Sequence, residues 1–216
     1  MAKKKTTKKL RGQTRLLGMV DDASFSKPKR SFHVLGLDPG FANVGYALVA
    51  VSADGVQVVR GSAGEWRMGT WKTKKSDKKR SVRASEDDVR RAREIVKSLR
   101  ELLLEADVKV LCVETMSFPR SSRVAQQMGV CWGVITALAE VLDIPITQAT
   151  PQEIKKKVCG SGSASKQAVQ KVLAEKYGLD PGDWLKSEIE HPFDALAAVG
   201  ACMDSEVIKT AQKMMR

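Results

Sequence analysis

Two carboxylates in this chain stand where an apolar run stops. Asp38 closes "VLGLD" and is followed by Pro39 and Gly40, and Glu114 closes "VKVLCVE". A third, Asp194, follows His191 by three residues in "EIEHPFDALAAVGACM", so both side chains fall on one face of a helix. Each has an ordinary explanation alone. Asp38 suits a turn, Glu114 a solvated loop, Asp194 the positive end of a helix dipole, and His191 a helix cap. Taken jointly, oxygen donors with one imidazole and no cysteine suit a hard cation, Mg²⁺ or Mn²⁺. A pair of such ions about 4 Å apart can activate water and stabilise the leaving oxygen in phosphodiester cleavage.

The elements around these residues decide whether they can meet. Residues 32–37 are apolar throughout, as in a buried central strand. Residues 43–51 predict a second strand folded back antiparallel through Pro39–Gly40, and 55–66 a third. The following "RMGTWKTKKSDKKRS" reads as a polar surface loop, either a solvated connection or a phosphate contact with Trp66 and Trp71 beside it. A helix is predicted over 85–105, with Ser85 as cap and Glu86, Asp87 and Asp88 in its first turn. Its apolar stripe is Val89, Ala92, Ile95, Val96, Leu99, Leu102 and Leu103. A strand at 108–113 leads to Glu114, and a long helix covers 121–142. The apolar stripe of that helix is too broad for one open face, so one side would meet the sheet and the other a second subunit. A short strand at 144–148, helices near 151–158 and 164–177, and a last helix over 192–204 complete the order.

Three strands followed by alternating strands and helices predict a mixed α/β sheet. If the first and fourth strands are parallel neighbours, Asp38 and Glu114 project into one crevice at the strand ends. Pro192 fits the first turn of the last helix, and the small residues Ala195 to Val199 permit close packing on the sheet. That packing would carry His191 and Asp194 to the same crevice.

The chain has 216 residues, of which 43% are apolar, enough for one domain with a sizeable core. No run reaches the roughly 18 apolar residues of a membrane span, and the basic N-terminus lacks a secretory apolar segment, so an intracellular location and no membrane are expected. Cys112, Cys131, Cys159 and Cys202 form no C-x-x-C pair and read as buried thiols. The net charge is +12, and residues 1–30 hold ten Lys/Arg against Asp21 and Asp22, so this segment carries +8 and the rest +4. The segment is expected to be a disordered tail that either solubilises the chain or contacts a polyanion, ahead of one domain over 31–216.

Five ordered stretches resemble the RuvC-type Holliday junction resolvases of the RNase H-like nuclease superfamily. They are "GLDPGFANVGYALV", "VLCVETMSF", "QQMGVCWGVITALAE", "TPQEIKKKVCGSGSASKQAVQ" and "HPFDALAAV". The resemblance implies an RNase H-like fold with a five-stranded mixed sheet flanked by helices. It implies a homodimer that resolves four-way DNA junctions by paired symmetric nicks, leaving 5′-phosphate and 3′-hydroxyl ends. Asp38, Glu114, His191 and Asp194 match the four metal-site positions for two Mg²⁺ ions, with Mn²⁺ able to substitute. The His191 position is aspartate in some members and histidine in others. Lys155 and Lys166 match basic residues near the scissile phosphate, and Phe118 an aromatic that stacks at the open junction centre, one place later than the bacterial pattern has it. Lys156, Lys157, Arg120 and Arg123 are further DNA-binding candidates. The basic tail and the lysine-rich loop at 72–83 depart from the bacterial pattern and suggest a divergent branch, such as a phage enzyme acting in host cytoplasm. Two other functions fit the same residues: a broader nuclease of forks, flaps and Y-shaped DNA, and a branched-DNA-binding protein without useful cleavage.

Overall fold

The computed structural model describes residues 31–53, 55–75, 83–116, 119–184 and 188–214. The expectations for the tail over 1–30, for Phe118 and for most of the lysine-rich loop lie outside these residues.

The strands are β1 (Ser31–Asp38), β2 (Asn43–Ser52), β3 (Gly55–Val58), β4 (Met68–Lys72), β5 (Val108–Glu114) and β6 (Ile146–Ala149). The sheet runs β3-β2-β1-β5-β6, with β4 also pairing β2. β1 is antiparallel to β2, with Asp38 opposite Gly45, and parallel to β5, with Leu37 opposite Val113. β5 is parallel to β6, with Glu114 opposite Ala149. The two carboxylate-bearing strands are thus parallel neighbours, as the crevice requires.

β3 and β4 share one edge. β3 pairs with Val49–Ser52 and β4 with Asn43–Ala47, so six strands fill five positions. Between them the chain makes an excursion closed by an Arg60–Trp66 bridge. The third strand predicted over 55–66 therefore stops at Val58, and the predicted surface loop contains a strand. "MGTWK" has no apolar alternation. It becomes a strand because β2 offers it a ladder and because Trp71 stacks on Tyr46 at 4.5 Å between ring centroids.

The helices are α1 (Ala84–Glu105), α2 (Ser122–Val141), α3 (Pro151–Cys159), α4 (Lys166–Tyr177), α5 (Glu190–Cys202) and α6 (Glu206–Lys213). The last was not expected; Ser205 caps it and Ile208 buries it. Arg83, not Ser85, occupies the cap position of α1 and makes no side-chain cap bond. The stripe of α1 is also rotated from the predicted one: Val89 is 55% exposed, whereas Arg91 is buried with Ile95, Leu99, Leu102 and Leu103.

One apolar cluster joins the sheet to α1 and α2, the other joins its opposite face to α3, α4, α5 and α6. α2 buries Cys131, Ile135 and Ala139 and leaves Val124, Val130 and Val141 exposed, so one of its faces is open in the single chain. By length and composition α2 is apolar enough to cross a membrane, which counting apolar runs did not show. Here it packs on the sheet, and Arg123 and Gln127 bind Asp88 of α1.

α5 lies directly on the sheet because two glycines admit it. A Cβ on Gly36 would sit 2.2 Å from the Ala195 carbonyl oxygen, and one on Gly45 2.2 Å from that of His191. Gly45→Ala is expected to push the first turn of α5 off β2 and to cost about 1–3 kcal/mol, as overpacking does. A urea midpoint equal to wild type would contradict this close approach.

Candidate active site

Asp38 and Glu114 reach the crevice from the ends of β1 and β5, and the N-terminal part of α5 adds His191 from its first turn and Asp194 just after it. Two basic residues close the other side. Thr150 and Glu153 form a capping box that starts α3 and sets the direction of Lys155. Ser165 caps α4 and places Lys166 at its first position. Together the six polar residues line a cavity of about 280 Å³ floored by Pro151, Ile154, Val169 and Ala197.

The polar contacts are specific. Asp38 Oδ2 accepts from His191 Nδ1 at 2.8 Å. Asp194 Oδ2 accepts from Lys166 Nζ at 3.2 Å, and Lys166 also donates to Glu190. The bond to Asp38 raises the His191 pKa, outweighing the opposing effect of burial. Burial raises the Asp194 pKa against the pull of Lys166. Among the carboxyls Glu114 rises furthest, from 4.5 to about 7, through burial first and then through the charges of Asp38 and Asp194; Lys166 and Lys155 oppose the rise. Burial, with Asp38 nearby, pushes the Cys131 thiol up to about 12.

These shifts describe carboxylates held close enough to repel one another. Among the described residues no three His, Cys, Asp or Glu side chains already form a metal cage. His191 and Lys166 instead take up oxygens of Asp38 and Asp194. The donor set still fits a hard divalent cation: three carboxylates from three elements, one imidazole, and an excess of negative charge that burial makes costly.

The sequence from 34 to 199 matches the family model of crossover junction endodeoxyribonuclease RuvC. The chain belongs to the RuvC family. Every residue lining the cavity lies inside the matched span. The RuvC of Moorella thermoacetica is 33% identical over 169 residues, covering 78% of this chain and 89% of that protein. The RuvC of Natranaerobius thermophilus is 28% identical, covering 79% and 91%. Among solved structures, Thermus thermophilus RuvC in complex with Holliday junction substrate matches at TM-score 0.64 and 22% identity, over 85% of this chain and 97% of that one. The yeast mitochondrial Holliday junction resolvase Ydc2 matches at 0.56 and 14%, over 87% and 84%. These structural likenesses establish the RNase H-like fold.

On this RuvC fold the expected DNA-binding residues divide. Lys155 and Lys166 line the cavity. Lys156 and Lys157 flank a different pocket beside Gln148 and Glu153, and Lys157 pairs with Asp204. Arg123 is bound to Asp88 of α1 at 2.5 Å, and Arg120 is exposed just before α2. Two acidic residues near the site went unread in the sequence. Glu190 shares Lys166 with Asp194, and Glu188 pairs with Lys72 at 2.7 Å, joining the end of β4 to the approach to α5. The position of Glu190 beside His191 was the available signal.

Proposed function

We propose that this chain is a divalent-cation-dependent endonuclease that resolves four-way DNA junctions by paired symmetric nicks, working as a homodimer. The observation that carries the reading is the convergence of Asp38, Glu114, His191 and Asp194 in one cavity beside Lys155 and Lys166. Mg²⁺ or Mn²⁺ held by Asp38, Glu114, His191 and Asp194 would supply charge stabilisation for the phosphodiester and a lowered pKa for attacking water. Asp38 fixes the His191 ring through Nδ1 and leaves its second nitrogen for a ligand or a proton. Lys155 and Lys166 bring positive charge to the side where a scissile phosphate would enter. Lys166, held between Glu190 and Asp194, would exchange part of that pairing for phosphate. Cleavage by in-line attack of water would leave 5′-phosphate and 3′-hydroxyl ends. The open apolar face of α2 supports the second subunit, which would supply the second nick.

Cleavage of end-labelled four-way junctions beside matched forks, flaps and duplexes, with Mg²⁺, with Mn²⁺ and with chelator, tests this. Symmetric nicks confined to the four-way junction, lost in chelator, are expected. Equal cutting of every branched substrate would favour the broader nuclease, which the lysine-rich stretch around 72–83 supports because phosphate contacts add affinity without selecting shape. Tight binding with no cutting in either metal would favour a binding protein.

The +8 segment ahead of β1 is assigned to phosphate contact. Deleting residues 1–30 is expected to weaken junction binding and to flatten its dependence on salt, because each lost phosphate contact removes about 0.9 from the logarithmic slope. An unchanged slope would remove this segment from the interface.

A further inference from the structure

Arg91 is 2% exposed and Thr73 7%, and they are the buried polar residues among those described. They meet at one place. Arg91 Nε donates to Thr73 Oγ1 at 3.0 Å, and its Nη2 reaches the Phe41 carbonyl at 3.5 Å. The guanidinium carbon lies 4.5 Å from the centroid of the buried Phe41 ring. Thr73 Oγ1 donates to the Phe41 carbonyl at 2.6 Å, and Thr73 N donates to the Ala42 carbonyl at 2.9 Å. All of these contacts converge on Phe41 and Ala42, the turn that leaves β1 immediately after Asp38 and Pro39.

The turn itself has little slack. A Cβ on Gly40 would fall 2.4 Å from the Asn43 carbonyl oxygen. Asp38 is held on one side by the β1 ladder and by His191. On the other side its backbone continues into the segment that Arg91 and Thr73 grip. A buried guanidinium is a costly way to fill space, and an apolar side chain of similar volume would often stabilise a core more. What arginine adds is a rigid plane of donors, able to serve a hydroxyl, a carbonyl and an aromatic face at once. A metal-binding carboxylate needs its backbone held within about 0.5 Å.

We infer that Arg91, acting through Thr73 and Phe41, is a positioning residue for Asp38 that sets the affinity of the site for a divalent cation. The inference rests on reading Asp38 as a metal ligand. It extends that reading to a buried residue that does not line the cavity.

The test uses the full chain and three readouts: Mn²⁺ binding by electron paramagnetic resonance titration, junction binding in chelator, and urea unfolding. The variants are Arg91→Met, Arg91→Lys and Thr73→Val, with Asp38→Asn as reference. Arg91→Met is expected to weaken Mn²⁺ binding about tenfold, the usual scale for a residue that orients a ligand from behind. The cleavage lost should be recovered by raising the Mn²⁺ concentration, and junction binding in chelator should stay at the wild-type level. Arg91→Lys should not restore the affinity, because an ammonium cannot lie flat on Phe41 while serving both oxygens. Thr73→Val, which removes only the bridging hydroxyl, should shift Mn²⁺ binding in the same direction and decides the matter if Arg91→Met does not fold. A lowered urea midpoint with unchanged Mn²⁺ affinity in the folded variants would overturn the inference and leave Arg91 as packing. Wild-type Mn²⁺ binding untouched by Asp38→Asn would overturn it at its root. Wild-type Mn²⁺ binding without junction cleavage would instead overturn the proposed nuclease activity and leave the positioning role standing.

Discussion

Asp194→Asn is expected to lower junction cleavage by about a thousandfold or more, roughly 4 kcal/mol of transition-state stabilisation, while junction binding is kept or tightened. The substitution keeps shape and an oxygen that can still accept from Lys166, which lies 3.2 Å from Asp194. It removes one negative charge from a cavity whose remaining carboxylates already repel one another. Affinity for a divalent cation falls with that charge. A phosphate approaching Lys155 and Lys166, by contrast, meets less repulsion. Cleavage and binding therefore move in opposite directions, which general damage to the fold would not produce. Single-turnover cleavage and gel-shift titration of the same junction check both halves. Turnover near wild type would remove Asp194 from the mechanism, and a parallel loss of binding would make it a structural residue.

The parts of this site legible in the sequence were those that follow from strand ends. An apolar run that stops at a carboxylate locates Asp38 and Glu114 without knowledge of their partners, whereas the parallel pairing of β1 with β5 that brings them together is a condition the element order leaves open and the sheet meets. His191 and Asp194 were legible because helical spacing puts them on one face and the small run Ala195 to Val199 lets α5 lie flat. Pairing that depends on a partner was hidden. β4 is a strand only because β2 lies beside it, and α6 is eight residues long with one buried side chain. Arg91 was hidden for a different reason. An arginine in a charged helix reads as solvated, so the sequence pattern runs the stripe of α1 through Val89, whereas the turn after Asp38 draws the Arg91 guanidinium inward instead. The sharing of Lys166 between Glu190 and Asp194 spans 24 and 28 residues of sequence and follows from how α4 meets α5, which no local pattern encodes.

Glu114→Gln is expected to abolish cleavage and yet stabilise the metal-free protein at alkaline pH. The Glu114 carboxyl has a folded-state pKa of about 7 against 4.5 for the ordinary group. A carboxyl raised in this way binds its proton more tightly in the folded state. Its contribution to stability is complete below about pH 4.5 and is lost as pH rises through 7. The shift corresponds to about 3 kcal/mol at most, and partial exposure reduces it to about 1–2 kcal/mol. Asp194, also raised by burial, and His191, raised by its bond to Asp38, push in the same direction. The unloaded site therefore costs stability where the enzyme would work. Glutamine removes the charge and with it the Glu114 share of that cost. In chelator at pH 8 the Gln variant should be the more stable protein by urea unfolding, and the difference should vanish toward pH 4.5. Adding Mg²⁺ should reverse the order, because a cation that binds only the folded state stabilises the wild type by mass action and the variant less. A variant no more stable than wild type in chelator at pH 8 would mean that Glu114 is not held against its neighbours' charge. A wild type that gains no stability from Mg²⁺ would mean that the carboxylates do not gather a cation.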